Sequence, residues 1–211
     1  ILEGKSIEPG KTGLIQVVLD RRIGALREDG FILRDQSAQR TIAGGWILDP
    51  FSPARGRAKP ERIDFLRAME LDKADHVLEK LLVQSHLGLD LSRFIIAWNL
   101  TKEEQDIIFE SVKMIKIYKG PSILALSPEH FDKIGVMIVD SLKDWHQGHP
   151  DKPGPGVTAL RSAISTRISL AVFESVLKSL VGMKKIIHLG ANYCLPGFEK
   201  KLSGKDDALW K

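Results

Sequence analysis

Between Phe51 and Pro60 the hydrophobic pattern of this chain changes period, and that change constrains the fold more than any other feature. Up to Leu48 the apolar residues fall in short β-rich runs: residues 13–19, rich in Ile, Leu and Val, then 31–33 and 41–48. Asp35, Gln36 and Ser37 lie between the last two runs and supply side chains that hydrogen-bond back onto a turn, and Glu28-Asp29-Gly30 forms another turn before Phe31. Past Pro60 the apolar positions recur at spacings of three and four, the mark of a helix with one buried face. A period of two needs sheet partners, whereas a period near 3.6 needs a face to pack against. The chain therefore divides into a strand-rich part, residues 1–50, a basic linker, residues 51–59, and a helical part.

Fifty residues hold about four strands, too few to close a sheet or bury a core, because chains below about 60 residues are marginal alone. Residues 1–50 are expected to form the C-terminal half of a β-barrel that needs its missing half or a neighbour. The helical part repeats one order twice. Pro60 opens a helix carrying Ile63, Leu66, Ala68 and Met69; a second begins near Ala74 with Val77, Leu78, Leu81 and Leu82 on one face; residues 86–89 give a short strand and 92–98 a third helix. Thr101 and Glu104 form a capping box opening a helix through about Phe109, and residues 114–118 and 123–126 flank a Lys119-Gly120-Pro121 turn as a hairpin. The second round has helices at 128–146, 157–162 and 169–181 and a hairpin over 185–195. Helices followed by a hairpin are the order of a winged helix, so two tandem winged-helix domains are expected, at 60–126 and 127–197. Ser203, Asp206, Asp207, Leu209 and Trp210 read as the start of a helix cut off after two turns, which makes the chain look like a piece of a longer protein.

With 43% hydrophobic and 27% charged residues among 211, the composition is that of a globular chain. No run reaches the roughly 18 apolar residues of a membrane span, and the cytoplasm is the expected compartment. The lone cysteine, Cys194, excludes an internal disulfide and reads as a buried, inert thiol. The net charge of +4 leans toward an anionic partner, and its distribution matters more than its size. Arg55, Arg57, Lys59 and Arg62 crowd into eight residues beside Gly56 and two prolines, a solvated composition suited to phosphate contact. Lys113, Lys116 and Lys119 flank the first hairpin; Arg161, Arg167, Lys184 and Lys185 are spread through the second winged helix. The third helix of the first unit, residues 91–98, is apolar apart from Arg93 and is a poor reader of base edges, so phosphate contact is expected in place of sequence readout.

Catalytic and metal-binding patterns are weak. His146 and His149 share a helical spacing, but Gly148 and Pro150 end the helix there and no third ligand is near. Glu103-Glu104 and Asp206-Asp207 suit first turns of helices, Ala43-Gly44-Gly45 suits close packing between strands, and neither GxSxG nor GxxxxGK[ST] occurs. No enzyme activity, resident cofactor or metal is expected in this chain.

The phrase Leu33-Arg34-Asp35-Gln36-Ser37-Ala38-Gln39-Arg40-Thr41-Ile42-Ala43-Gly44-Gly45-Trp46-Ile47-Leu48-Asp49-Pro50 closely resembles the end of the third β-barrel domain in the bacterial selenocysteine-specific elongation factor family, SelB. Arg57 to Arg62 resembles that family's junction into its first winged helix, and Asp151-Lys152-Pro153-Gly154-Pro155-Gly156 resembles a turn in its second. The chain departs at Ala43, where the family usually has the first of three glycines. The resemblance implies the C-terminal half of an elongation factor Tu-like third domain, two winged helices, and the truncated start of a third winged helix at 198–211, whose first turns Leu202 to Trp210 resemble. It implies a parent protein that binds GTP and Mg²⁺, carries selenocysteinyl-tRNA to the ribosome at recoded UGA codons, and grips the selenocysteine-insertion mRNA hairpin with its fourth winged helix. For this segment it implies a monomeric connector with at most weak RNA contacts. The alternative is a tandem winged-helix transcription regulator that binds DNA.

Overall fold

A computed structural model describes residues 1–164 and 167–198 of the chain, which separates into two compact units, Ile1–Met114 and a second beginning at Ile115. The architecture is mixed α and β.

In the first unit, strands β1 (Gly30–Arg34) and β2 (Thr41–Trp46) pair antiparallel, with Phe31 opposite Gly45 and a register shift between Leu33 and Arg34. Asp35 builds the turn between them. Its Oδ1 accepts from the Gln39 N–H at 2.9 Å and the Arg40 N–H at 3.2 Å, while Ala38 sits in the left-handed region at φ +56. The Arg40 N–H is the main reason the carboxyl titrates below its usual range. Gly45 lies under its neighbour across the ladder: a Cβ there would lie 2.9 Å from Cζ of Phe31, so the ring that covers the glycine would have to shift. Residues 13–19, expected as a strand, join no ladder, and among the described residues the four expected strands reduce to two, with no closed barrel. The segment is instead tacked down at Leu14, which is buried and accepts from the Leu2 N–H at 2.9 Å, while Val17, Val18 and Leu19 stay exposed. Apolar composition marks a surface fit for a sheet, but only a partner makes the ladder.

Helices α1 (Pro60–Met69) and α2 (Ala74–Gln84) pack together and bury Leu66, Ala68 and Met69 from one and Val77, Leu78, Leu81 and Leu82 from the other. After the short strand β3 (Leu89–Asp90), helix α3 (Leu91–Ala97) starts one residue earlier than its sequence suggests, because Asp90 caps it by accepting from the Arg93 N–H at 3.1 Å. Helix α4 (Lys102–Ser111) begins with the expected capping box of Thr101 and Glu104. Two arginines fasten the strand-rich segment to these helices. Arg27, its side chain 7% exposed, donates to the Leu71 carbonyl at 3.0 Å and the Met69 carbonyl at 3.3 Å past the end of α1, lies 3.8 Å over the Trp98 ring and pairs with Glu28. Arg62 of α1 pairs with Asp49 at 2.7 Å. Leu2 and Leu14 pack with Leu66 beneath, so the basic 51–59 segment crosses a unit whose two sides are already joined.

In the second unit, β4 (Ile115–Lys119) and β5 (Ser122–Leu126) form a hairpin turning at Gly120, φ +57. Helix α5 (Pro128–Gly148) is capped by Ser127, α6 (Val157–Ala163) follows the glycine-proline turn, and α7 (Leu170–Gly182) is capped by Ser169. Ile117 and Leu126 of the hairpin share one core with Ile138, Leu160, Phe173 and Leu177 of the helices. The wing hairpin, β6 (Ile187–Leu189) and β7 (Asn192–Cys194), closes the unit. The Pro153-Gly154-Pro155-Gly156 run lies against it as a further extended piece: Gly156 bridges Asn192, and the Pro155 carbonyl accepts from the Tyr193 N–H at 3.0 Å. No residue but glycine fits at 154, where φ is +145 and a Cβ would stand 1.9 Å from the Tyr193 carbonyl oxygen. Burial pushes the Cys194 thiol up, consistent with an inert side chain. The expected helix from Ser203 lies outside the described residues, and no helix among the described residues is long and apolar enough to cross a membrane.

Gly154→Ala is expected to cost on the order of 3 kcal/mol through backbone strain and clash. Urea denaturation followed by far-UV circular dichroism checks this; a midpoint unchanged from the parent sequence would refute the packing of this turn against the wing.

Candidate nucleic-acid interface

The cations singled out from sequence fall into two physical kinds. Arg55, Arg57 and Lys59 are exposed on a turn held by Gly56 at φ +72 and by the Lys59 N–H donating to the Gly56 carbonyl at 3.2 Å. Their charges face solvent. Arg62, three residues on, is a different case. Its guanidinium is 13% exposed, its partner Asp49 is 7% exposed, and it also lies 5.0 Å from the Phe65 ring centroid. Asp49 is further anchored by accepting from the Phe51 N–H at 2.8 Å. A run that reads as one basic patch therefore contains three solvated cations and one structural ion pair.

Lys113 is exposed near the end of the first unit, and Lys116 and Lys119 are exposed on opposite faces of β4. In the second unit, Arg161 donates through Nε and Nη2 to the Ile168 carbonyl at 2.9 and 2.7 Å, stapling the segment that enters α7. Arg167 is exposed, and the two arginines line one open cleft of about 260 Å³ with Thr158 and Ser162. Lys184, at φ +58, and Lys185 are exposed in the turn that ends α7, where their N–H groups donate to the Val181 and Leu180 carbonyls at 2.9 Å each.

Helix α7 occupies the reading position of the second winged helix, yet its residues Val172, Phe173, Val176, Leu177 and Leu180 are buried in the core. Its exposed side chains include Glu174 and Lys178, a mixed pair that gives no net attraction for phosphate. Glu174 also reaches the wing: burial first, and its carboxylate second, push the Tyr193 phenol up. In α3 the exposed positions are Arg93, paired with Asp90 at 3.5 Å, and Ile96. Neither helix presents a row of donors for base edges. Sequence reasoning missed Glu174 as the residue that spoils the α7 face; its three- and four-residue spacing from the apolar positions carried that signal. It also missed Arg27, whose place in a charged turn gives no hint of burial.

Gly44 and Gly45 pack against Phe31 and form no open loop around a phosphate. The paired histidines are separately engaged: the His149 Nδ1 lies 3.1 Å from the Trp145 carbonyl, whereas the His146 ring is buried and stacks on Phe198 at 3.7 Å. No group of three His, Cys, Asp or Glu positioned for a metal occurs among the described residues.

A strand hairpin followed by helical modules with wings defines a modular protein of the winged-helix class. Comparison with known proteins names the modules. Residues 1–54 match the selenocysteine-specific elongation factor β-barrel domain, and residues 139–191 match the elongation factor SelB winged helix. The chain is 27% identical over 206 residues to the selenocysteine-specific elongation factor of Escherichia coli (strain K12), a match covering 94% of this chain and 31% of that protein. The chain belongs to the SelB family, and it spans about a third of the length of the curated relative it matches. The β-barrel match covers the whole stretch from Leu2 through Asp49, so the motif around Asp35, Gly45 and Asp49 works there as a turn, a glycine under an aromatic ring, and an anchor for Arg62.

Two outcomes follow from this geometry. Arg62→Ala is expected to cost about 3 kcal/mol by stranding the Asp49 carboxylate, whereas Arg57→Ala stays within about 0.5 kcal/mol; guanidinium denaturation of both separates a structural from a solvated arginine. His146 titrates below its ordinary value of 6.5 because burial disfavours the imidazolium, an effect that the Pro153 carbonyl partly opposes. The unfolded chain therefore binds the proton more readily, so the contribution of His146 is complete above about pH 6.5 and is lost as pH falls toward the lower folded value. Between about pH 7 and pH 5 the stability of His146→Phe should fall less steeply than that of the parent chain, and parallel curves would contradict this.

Proposed function

We propose that this segment is part of a GTP-dependent elongation factor that delivers selenocysteinyl-tRNA to the ribosome at recoded UGA codons. Within it, the segment connects the tRNA- and GTP-binding body to the part that holds the selenocysteine-insertion hairpin. GTP and Mg²⁺ belong to the parent factor, and this segment carries no catalytic role. It works in the cytoplasm as a monomer, touching ribosomal RNA weakly through backbone phosphates. The observation that carries this reading is the exposed face of α7, which sets Glu174 beside Lys178 where a reading helix presents a row of donors. Family membership supports the translation setting, and the Arg27 and Arg62 fastenings support a unit able to transmit position between its two sides. The DNA-binding regulator is not favoured, because it needs a reading helix that neither α3 nor α7 provides.

Fluorescence-anisotropy titration against small ribosomal subunits, the insertion hairpin and duplex DNA across a salt series tests the reading. Weak, salt-sensitive subunit binding without preference for the hairpin is the expected result. Submicromolar, sequence-specific binding to the hairpin or to duplex DNA would overturn it.

A further inference from the structure

The eleven candidate cations are not equivalent, and the concave surface lined by Thr158, Arg161, Ser162 and Arg167 joins positive charge to hydroxyl groups, whereas the groove at Lys143 and Lys185 also carries Asp132 and Asp140. Thr158, Arg161 and Ser162 stand one turn apart on the outer face of α6, and Arg167 approaches from the segment that leads into α7. Together with Ile168 and Leu170 they line the open cleft of about 260 Å³. Arg161 is fixed in place there, since the Ile168 carbonyl accepts from both Nε and Nη2 and leaves Nη1 with its two N–H groups for another acceptor. A guanidinium held on one side by the fold loses little freedom when it meets an oxyanion on the other. Arg167 adds a second cation, Thr158 and Ser162 add neutral donors, and among the described residues no acidic side chain lines the cleft.

From this arrangement, and resting on the connector reading above, we propose that the cleft between α6 and the entry to α7 takes a backbone phosphate of RNA. The cleft is wide open and offers no apolar slot for a base, so the contact reads charge and shape without sequence. Lys185 lines a larger groove of about 560 Å³ with Lys143, but Asp132 and Asp140 line it too and offset both lysines; the cleft at Arg161 and Arg167 is the contact that sets the affinity of the chain for RNA. Duplex DNA carries the same phosphodiester, but the exposed face of α7 offers no row of donors to hold the chain in a major groove, which favours RNA as the partner.

The test uses the whole chain and a structured RNA of ribosomal small-subunit origin, with duplex DNA of equal length alongside, over a salt series. Arg161→Ala also frees the Ile168 carbonyl and can disturb the fold, so Arg167→Glu and Ser162→Glu carry the experiment, the second placing a repelling carboxylate at the cleft without removing a cation. Each is expected to weaken RNA binding by about tenfold at low salt, with Arg167→Glu making the salt slope shallower by about one, while Lys184→Glu changes affinity less than about twofold. Arg167→Lys should restore most of the affinity. Unchanged RNA binding in both cleft variants, with loss in Arg55→Glu or Arg57→Glu, would overturn the cleft and leave the connector reading standing. No RNA binding by the parent chain at low salt would also overturn the cleft. Equal or tighter binding to duplex DNA, lost in Arg167→Glu, would overturn both the RNA assignment and the connector reading.

Discussion

The first unit depends on Arg27. Its guanidinium reaches from the turn before β1 to the carbonyls of Met69 and Leu71, which the end of α1 leaves without intrahelical partners, and its flat face covers Trp98 after α3. One side chain thus satisfies exposed helix-end acceptors on one side and shields an indole on the other. Hydrogen bonds to a charged donor contribute about 1.5–3 kcal/mol when desolvated, which is large beside the stability of a domain this size. The Arg27 N–H donates to the Ala97 carbonyl at 2.8 Å and the Glu28 N–H to the Ile47 carbonyl at 2.8 Å, so the same turn is tied to α3 and to the strand hairpin through its backbone. Glu28 accepts a left-handed φ of +70 to make both bonds.

Asp49 and Arg62 provide the second fastening, and the two differ in physical character. Arg27 bonds mostly to neutral carbonyls and an aromatic face, whereas Arg62 forms a mostly buried ion pair whose worth lies in the penalty for breaking it. Between these fastenings the Arg55–Lys59 turn is free to remain solvated. This arrangement explains how a proline- and glycine-containing basic stretch can sit inside a compact unit: its ends are held, and its middle carries no structural duty. In the second unit the same economy appears at Gly154, where a glycine lets the chain lie against the Tyr193 carbonyl and turns the wing hairpin into a wider platform.

Much of the helical fold was legible in the sequence because helices announce themselves locally. The Thr101 and Glu104 capping box, Pro60 and Pro128 in first turns, and Ser127 and Ser169 before apolar periodicity all lie within a few residues of the features they specify. The hairpins around Gly120 and Gly190 were equally local. The stretch 13–19 misled for the opposite reason: a strand is a relation between segments, and apolar alternation states only a capacity for it. The candidate interface was half legible. Charge density located Arg55, Arg57, Lys59 and Arg62 together, but density cannot distinguish a solvated arginine from one paired with Asp49 thirteen positions earlier.

By itself, the sequence determined the order of elements, the position of the turns, the family through the Asp35-to-Asp49 phrase, and the presence of a modest positive charge with no catalytic motif. These are consequences of local stereochemistry and composition. Tertiary structure alone decided which cations are spent on the fold and which face solvent, that Arg161 and Arg167 meet across one cleft, and that α7 turns its apolar residues inward and leaves Glu174 outside. Such assignments depend on burial and on partners distant along the chain, and the desolvation of a charge is a property of its surroundings that its own neighbours in sequence do not encode.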